Sequence, residues 1–198
     1  MVYTQPMNHT PQIKKAIQFA ARKHDGQKRV ADRSLPYITH PFSVALLVAE
    51  DGAHDDVVVA ALLHDTLEDT ATTREEIVEA FNGRVADLVA AVSEVRQDGA
   101  AWRERKMKYL DLLGRSDDDA LLIAAADKID NIESRLEEYA CEGEAFLARF
   151  GQPNGEYLWF HGEVLRLVQA RLPDHSLTKR FAEAHAKQLE TFDGVEPN

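Results

Sequence analysis

The sequence predicts an all-α fold, and three observations carry that prediction. Apolar residues recur at three- and four-residue spacing from residue 13 to about residue 192. Helix-start signals stand ahead of those runs. No convincing pair of strands joined by a turn is found between them.

Taken in order, Thr10-Pro11 opens the first helix, because proline has no N–H to lose at the first helical position. Ile13, Ala16, Ile17 and Ala20 form its apolar face, ending near Gly26. Residues 25–39 have no period and read as a loop. Pro41 opens a second helix through Phe42, Ala45, Leu46 and Ala49, stopped by Asp51-Gly52. Asp55 or Asp56 is expected to cap a third, which runs into Leu62-Leu63-His64-Asp65. Thr73-x-x-Glu76 is a capping box for a helix with Ile77, Ala80 and Phe81, closed at Gly83. Val85, Leu88, Val89 and Val92 supply the next face. Residues 103–113 form a basic amphipathic helix carrying Met107, Leu110 and Leu113. Ser116-Asp117-Asp118 caps a long helix through Leu121, Leu122, Ala125, Ile129, Ile132, Leu136 and Tyr139. Pro153-Asn154-Gly155 begins another through Leu158, Leu165, Val168 and Leu172, and the last spans residues 176–192 before a fraying tail. No repeat or linker interrupts this, so residues 1–198 read as a single helical-bundle domain with its core at about 10–172.

Composition narrows the function. The net charge is −11, which argues against a nucleic-acid polymer as partner, since such proteins usually present a basic face. A small polyanion held by a metal and a local basic patch remains compatible. No apolar stretch approaches the roughly 18 residues needed to span a bilayer, so no membrane partner is expected. The first residues, Met-Val-Tyr-Thr-Gln-Pro, lack the basic and apolar regions of a signal peptide. Cys141 is the only cysteine, so an internal disulfide is impossible and a reducing cytoplasm is the natural setting. Oligomeric state leaves no signal in the sequence.

The chemistry concentrates at Ala60-Ala61-Leu62-Leu63-His64-Asp65-Thr66-Leu67-Glu68-Asp69-Thr70. An apolar run has no packing reason to end on four ionisable groups, because burying them unpaired costs several kcal/mol. Adjacent helical residues point about 100° apart, so His64 and Asp65 reach one ion only where the helix loosens. His40 precedes the helix-starting Pro41, and is expected to project from a backbone corner. Asp127 follows a run of alanines that lets another helix approach closely, and Asn131 lies one turn on, on the same face. Together, His40, His64, Asp65 and Asp127 make a nitrogen/oxygen set suited to a hydrolytic Mn²⁺, Fe²⁺, Zn²⁺ or Mg²⁺. With no thiolate among them, a closed structural zinc site is disfavoured.

The run Phe-Ala-Ala-Arg-Lys-His, Gln-x-Arg, Pro-Tyr-Ile-x-His-Pro, Ala-Ala-Leu-Leu-His-Asp-Thr-x-Glu-Asp-Thr and Ala-Asp-Lys-x-x-Asn resembles the HD-domain phosphohydrolases. Within them it looks like the small alarmone hydrolases and the hydrolase half of the Rel/Spo-type enzymes, over about residues 16–170. The resemblance implies a metal site at His40, His64, Asp65 and Asp127, and a catalytic acidic pair at Glu68 and Asp69. It implies Mn²⁺-dependent removal of the 3′-pyrophosphate from guanosine tetra- or pentaphosphate, a small-molecule nucleotide substrate. Arg29 matches the arginine that stacks on the purine, and Asn131 and Tyr157 match nucleoside contacts. Lys106 and Arg103 offer further positive charge to the substrate. Val30 stands where relatives have a basic residue, Trp102 where a lysine aligns, and Asp130 replaces a His or aromatic. Those departures keep two other readings open. One is an HD phosphohydrolase of another nucleotide, whether an adenosine alarmone, NADPH or a deoxynucleotide. The other is a non-catalytic alarmone-binding module.

Overall fold

The structure, a computed structural model, describes residues 9–94, 99–192 and 194–195. The expectations for the first six residues and for the end of the tail lie largely outside that range. Eleven helices are described and no extended strand accompanies them among the described residues: α1 (Pro11–Lys23), α2 (Thr39–Glu50), α3 (Asp55–Leu63), α4 (Thr66–Asp69), α5 (Arg74–Ala80), α6 (Gly83–Val92), α7 (Trp102–Arg115), α8 (Asp118–Glu142), α9 (Glu144–Leu147), α10 (Asn154–Arg171) and α11 (Ser176–Phe192). The all-α expectation holds.

The centre of the bundle is α3. Every residue from Val57 to Leu63 is buried, because α1, α2, α6 and α8 each pack against it. That enclosure explains why its sequence is apolar all round rather than on one stripe. Each buried Val or Leu contributes about 1.5–3 kcal/mol, so the helix delivers its C-terminal residues to a fixed place. The longest of the described helices, α8, packs on α2, α3, α6, α10 and α11. Its alanines at 124–126 are buried and permit the close approach expected of them.

Caps explain most of the boundaries. The Thr10 side chain accepts the Ile13 N–H at 3.3 Å, and Asp117 accepts that of Ala120 at 3.1 Å. Thr73 accepts the Glu76 N–H at 3.2 Å, but Glu76 turns to Lys23 at 2.7 Å, which is half of the expected capping box. Four expectations are corrected. His54, not Asp55 or Asp56, is the N-cap of α3; Asp56 is drawn away by Gln12 and Asn82, at 2.7 and 3.0 Å. Gly83 does not close a helix but begins α6, because Asn82 caps it by accepting the Val85 N–H at 2.9 Å. The second helix starts at Thr39, so Pro41 is its third residue and His40 sits in the first helical turn. Met107 is 60% exposed, while Tyr109 is buried on α7 instead.

The loop after α1 is more ordered than its sequence suggests. Gly26, at φ 75°, turns the chain where a side chain would be strained. The Tyr37 N–H then donates to the Gln27 carbonyl at 2.9 Å, and the Arg29 N–H to that of Leu35 at 3.2 Å. Two otherwise aperiodic residues, Arg29 and Tyr37, are thereby aimed at the same cavity. A satellite apolar cluster of Ala31, Phe146, Leu147 and Phe192 ties this loop to α9 and the end of α11. The short α9 leaves no periodic signal in the sequence.

Candidate active site

His64 is the last helical-looking residue of α3, at φ −54° and ψ −34°, and Asp65 follows at φ −92° and ψ −4°. The helix loosens between them, as the need for both side chains to face one point requires. His64 Nε2 lies 3.0 Å from Asp65 Oδ2 and 3.2 Å from His40 Nε2. Asp127 reaches in from α8, with Oδ1 at 3.2 Å from His40 Nε2 and 3.9 Å from that of His64. All four residues expected to hold a metal therefore converge. His40, His64 and Asp65 form the tightest group, with ligand atoms within 4.8 Å of one another.

The tautomers test whether these residues fit a cation. The Ala61 carbonyl lies 2.7 Å from His64 Nδ1, and a carbonyl can only accept, so that nitrogen carries the proton. His40 Nδ1 lies 2.6 Å from Asp130 Oδ2 and donates to the carboxylate in the same way. In their neutral forms both rings then turn bare Nε2 lone pairs toward each other at 3.2 Å, beside two carboxylates. Donors bound to one ion at about 2.0–2.2 Å stand roughly 3.0–3.6 Å apart, close to the separations of 3.0–3.9 Å found here. A divalent cation fits.

The charges agree. Burial works against an imidazolium at His64, yet Asp65 and Asp127 together push its pKa up to about 9. Burial likewise opposes the Asp65 carboxylate, but the two histidines hold its pKa well below the ordinary range. The site demands positive charge. Asp127 is held ionised, against burial, chiefly by the Lys128 ammonium, which pairs with its Oδ2. Asn131 donates to its Oδ1.

Asp130 and Tyr37 are two positioning groups that sequence reasoning passed over. Asp130 orients His40 and also receives the Arg29 guanidinium at 3.2 Å; such outer-shell carboxylates fix ring tautomer and raise ligand basicity. The Tyr37 hydroxyl donates to Asp65 Oδ2 at 2.6 Å and approaches Asp69 Oδ2 at 3.3 Å. The Gln27 amide donates to the Asp69 carbonyl at 2.8 Å. The motif tyrosine was in view, but nothing in its local spacing names a partner 28 residues away.

Glu68 and Asp69 line the same pocket of about 160 Å³ as His40, Asp65 and Asp127. Glu68 accepts the Glu94 N–H at 3.1 Å. Burial, followed by the nearby Asp65 charge, pushes its pKa up to about 7. A carboxyl poised there exchanges protons near neutrality.

Beside this pocket opens a larger cavity of about 400 Å³, whose walls include Arg29, Lys106, Asn131, Tyr157 and Phe160. Tyr37, Lys106, Lys128, Asn131 and Phe160 border both, so the two are continuous. Of the expected substrate contacts, Arg29, Asn131, Tyr157 and Lys106 reach the larger cavity. Arg103 does not. It is exposed, pairs with Glu156 at 2.7 Å and stacks 3.9 Å over the Trp159 ring, because it lies on the outward side of α7. Trp102, one residue earlier, faces the cavity instead.

The larger cavity is lined by Arg29, Lys106, Lys128, Arg135 and Arg149, with no carboxylate in its wall among the described residues. In a chain of net charge −11 that concentration marks a site for an anion.

The sequence profile of the HD domain matches residues 16–148. The chain belongs to the HD-domain family. The chain is 41% identical over 127 residues to guanosine-3′,5′-bis(diphosphate) 3′-pyrophosphohydrolase of Aquifex aeolicus (strain VF5), covering 64% of this chain and 18% of that protein. It is 38% identical over 143 residues to the Homo sapiens protein named guanosine-3′,5′-bis(diphosphate) 3′-pyrophosphohydrolase MESH1, covering 65% and 78% of the two chains. The chain thus spans under a fifth of the first relative and over three quarters of the second. Among solved structures, it superposes with a TM-score of 0.74 on a metazoan ortholog of SpoT described as hydrolysing ppGpp, at 25% identity, over 91% of this chain and 97% of that one. The family implies a divalent metal, in keeping with the cluster at His40, His64 and Asp65. No helix among the described residues is long and apolar enough to cross a membrane.

Proposed function

We propose that this chain is a divalent-metal-dependent 3′-pyrophosphohydrolase of guanosine 3′,5′-bis(diphosphate), ppGpp, and of its pentaphosphate, with Mn²⁺ as the ion. One observation carries the reading: four metal-seeking side chains meet at 3.0–3.9 Å beside a cavity walled by cations. A polyanionic nucleotide bridges the two, its scissile phosphate at the metal end. The names of the Aquifex and human relatives support the substrate.

His40, His64, Asp65 and Asp127 would hold the ion. When bound, it lowers the pKa of water and neutralises charge on the attacked phosphoryl group. The water oxygen bonds to phosphorus, the bond from phosphorus to the ribose 3′-oxygen breaks, and a proton ends on that oxygen; pyrophosphate and GDP leave. Glu68, buried and near pKa 7, takes the water proton or returns one to the leaving oxygen. Asp69, tethered by Tyr37 and Gln27, orients the attacking water. Lys106 and Lys128, on the shared wall of the two pockets, face the phosphates. Arg29 and Tyr157 offer a guanidinium plane and a ring to the purine.

The chain reads as one HD-type domain, since one apolar cluster runs from Ile13 to Ala184. The free, exposed Cys141 suits a reducing cytoplasm.

Purified protein with Mn²⁺ and ppGpp should release GDP and pyrophosphate, and Asp65→Ala should not. No release above that control overturns the reading. Val30 and Trp102 on the cavity wall favour running adenosine alarmones, NADPH and deoxynucleotides in the same panel; faster turnover of any of these transfers the chemistry to that substrate.

A further inference from the structure

The five cations of the larger cavity are not equivalent. Arg29 pairs with Asp130, Lys106 with Glu94, Lys128 with Asp127 and Arg149 with Glu142. Arg135 has no ion-pair partner among the described residues. Only its Nη2 is engaged, donating to Asn154 Oδ1 at 2.8 Å. Its Nε and Nη1 are buried without a hydrogen-bond partner among the described residues, and the residue is 4% exposed. The rings of Tyr157 and Phe150 lie 4.4 and 4.6 Å from the guanidinium. They offset part of its desolvation but accept no hydrogen bond in its plane. Burial accordingly pushes its pKa down to about 10. A native structure rarely leaves a buried cation with two idle donors unless something else supplies the acceptor.

Its place on α8 says where that acceptor lies. Asp127, Asn131 and Arg135 follow one another at four-residue steps, along one face of the helix. Asp127 is at the metal end, Asn131 borders both pockets, and Arg135 borders only the larger one. Eight residues of helix set the first and last about 12 Å apart. A ligand whose reacting phosphate sits against Asp127 and whose sugar passes Asn131 carries its opposite end to Arg135.

We propose that Arg135 binds the 5′-phosphates of the substrate, the end that is not cleaved, and so selects nucleotides phosphorylated at both ends of the ribose. The proposal rests on the hydrolase reading and names the determinant of its substrate. Arg135 is a binding residue there and takes no part in bond breaking.

The test compares three probes. Guanosine tetraphosphate carries both ends, guanosine 3′-diphosphate lacks the 5′-phosphates, and GDP lacks the 3′-group. Arg135→Gln should raise KM for the tetraphosphate about 10- to 100-fold, the size of a lost charge-assisted pair, with kcat nearly unchanged. The same variant should turn over guanosine 3′-diphosphate as the wild type does, and its calorimetric affinity for GDP should fall by a similar factor. Arg135→Lys, which keeps the charge, should recover part of the loss. Equal losses on both substrates would make Arg135 a clamp for α10 only, and unchanged KM on the tetraphosphate would remove it from the site; either overturns the proposal. If the wild type cleaves neither substrate yet GDP binding still depends on Arg135, the hydrolase reading fails and the anion site stands.

Discussion

Two pockets share a wall, and they handle charge in opposite ways. The smaller gathers the His40 imidazole and several carboxylates, with the His64 ring 3.2 Å from that of His40, and its groups lie close to one another, Tyr37 at 2.6 Å from Asp65 and His40 at 3.2 Å from Asp127. The larger gathers cations and aromatic rings, and it leaves Nε and Nη1 of Arg135 without a hydrogen-bond partner among the described residues. One is built to hold a cation, the other an anion. The helix that borders both, α8, contributes the Asp127 carboxylate to the first and the Arg135 guanidinium to the second, eight residues apart. On the proposed function, two sites of opposite sign within one ligand's length suit a molecule that would be held through metal at one end and through arginine at the other.

That contrast can be broken first at the acidic pair. Glu68→Gln removes proton exchange but leaves the four proposed ligands intact. Turnover should drop about 10²- to 10⁴-fold while Mn²⁺ binding, measured by calorimetry, stays within a few-fold. Loss of metal binding would instead place Glu68 among the ligands. Next comes Asp130→Asn, which keeps the shape but weakens the hold on His40. Metal affinity should fall about 10- to 100-fold, and Arg29 should lose its ion-pair partner in the same step. An unchanged metal isotherm would reduce Asp130 to an ion-pair partner of Arg29.

The basic pocket is probed through pH. His161, on its wall, is fully enclosed, and burial pushes its pKa down to about 3. Its Nδ1 lies 2.9 Å from Gln188 Oε1; Lys128 and Arg135 also disfavour its charge, while Asp127 favours it. The folded pKa is depressed, so the unfolded chain binds the extra proton as pH falls below about 6.5, and stability present above that pH is lost. Between pH 7.5 and pH 5 the wild type should lose about 2 kcal/mol relative to His161→Asn, read from urea midpoints at both values. Parallel curves would mean that water reaches the ring. The smallest effect is expected at Arg103→Ala. Its charge points away from both pockets, so KM should move less than about twofold, and a larger change would put α7 closer to the substrate than the structure does.

Much of this could be read from the chain alone, and the reason is range. Thr10, Thr73 and Asp117 announce helix starts because a cap acts on a backbone amide three residues on. Ile13, Ala16 and Ala20 announce a buried face because helical geometry repeats over the same distance. The clustering of His64, Asp65, Glu68 and Asp69 in one stretch likewise made a site legible, and Asp127 stood out as a carboxylate among alanines. The failures were equally local in origin. Asp55 and Asp56 outranked His54 as caps on residue preference, until Gln12 of α1 and Asn82, the cap of α6, claimed Asp56. Arg103 looked as useful as Lys106 because both are basic, and only the packing of α7 decides which one faces inward.

The sequence by itself determined most of the helices, though not α9, together with the loosened end of α3 and the clustering of His64, Asp65, Glu68 and Asp69, since each depends on neighbours within about one turn. Tertiary structure alone decided that Asp130 holds His40 across 90 residues, that Tyr37 ties Asp65 to Asp69, and that Arg135 has no ion-pair partner among the described residues in a basic cavity. Those assignments depend on which surfaces meet when α2, α3 and α8 pack, and no local spacing records that meeting.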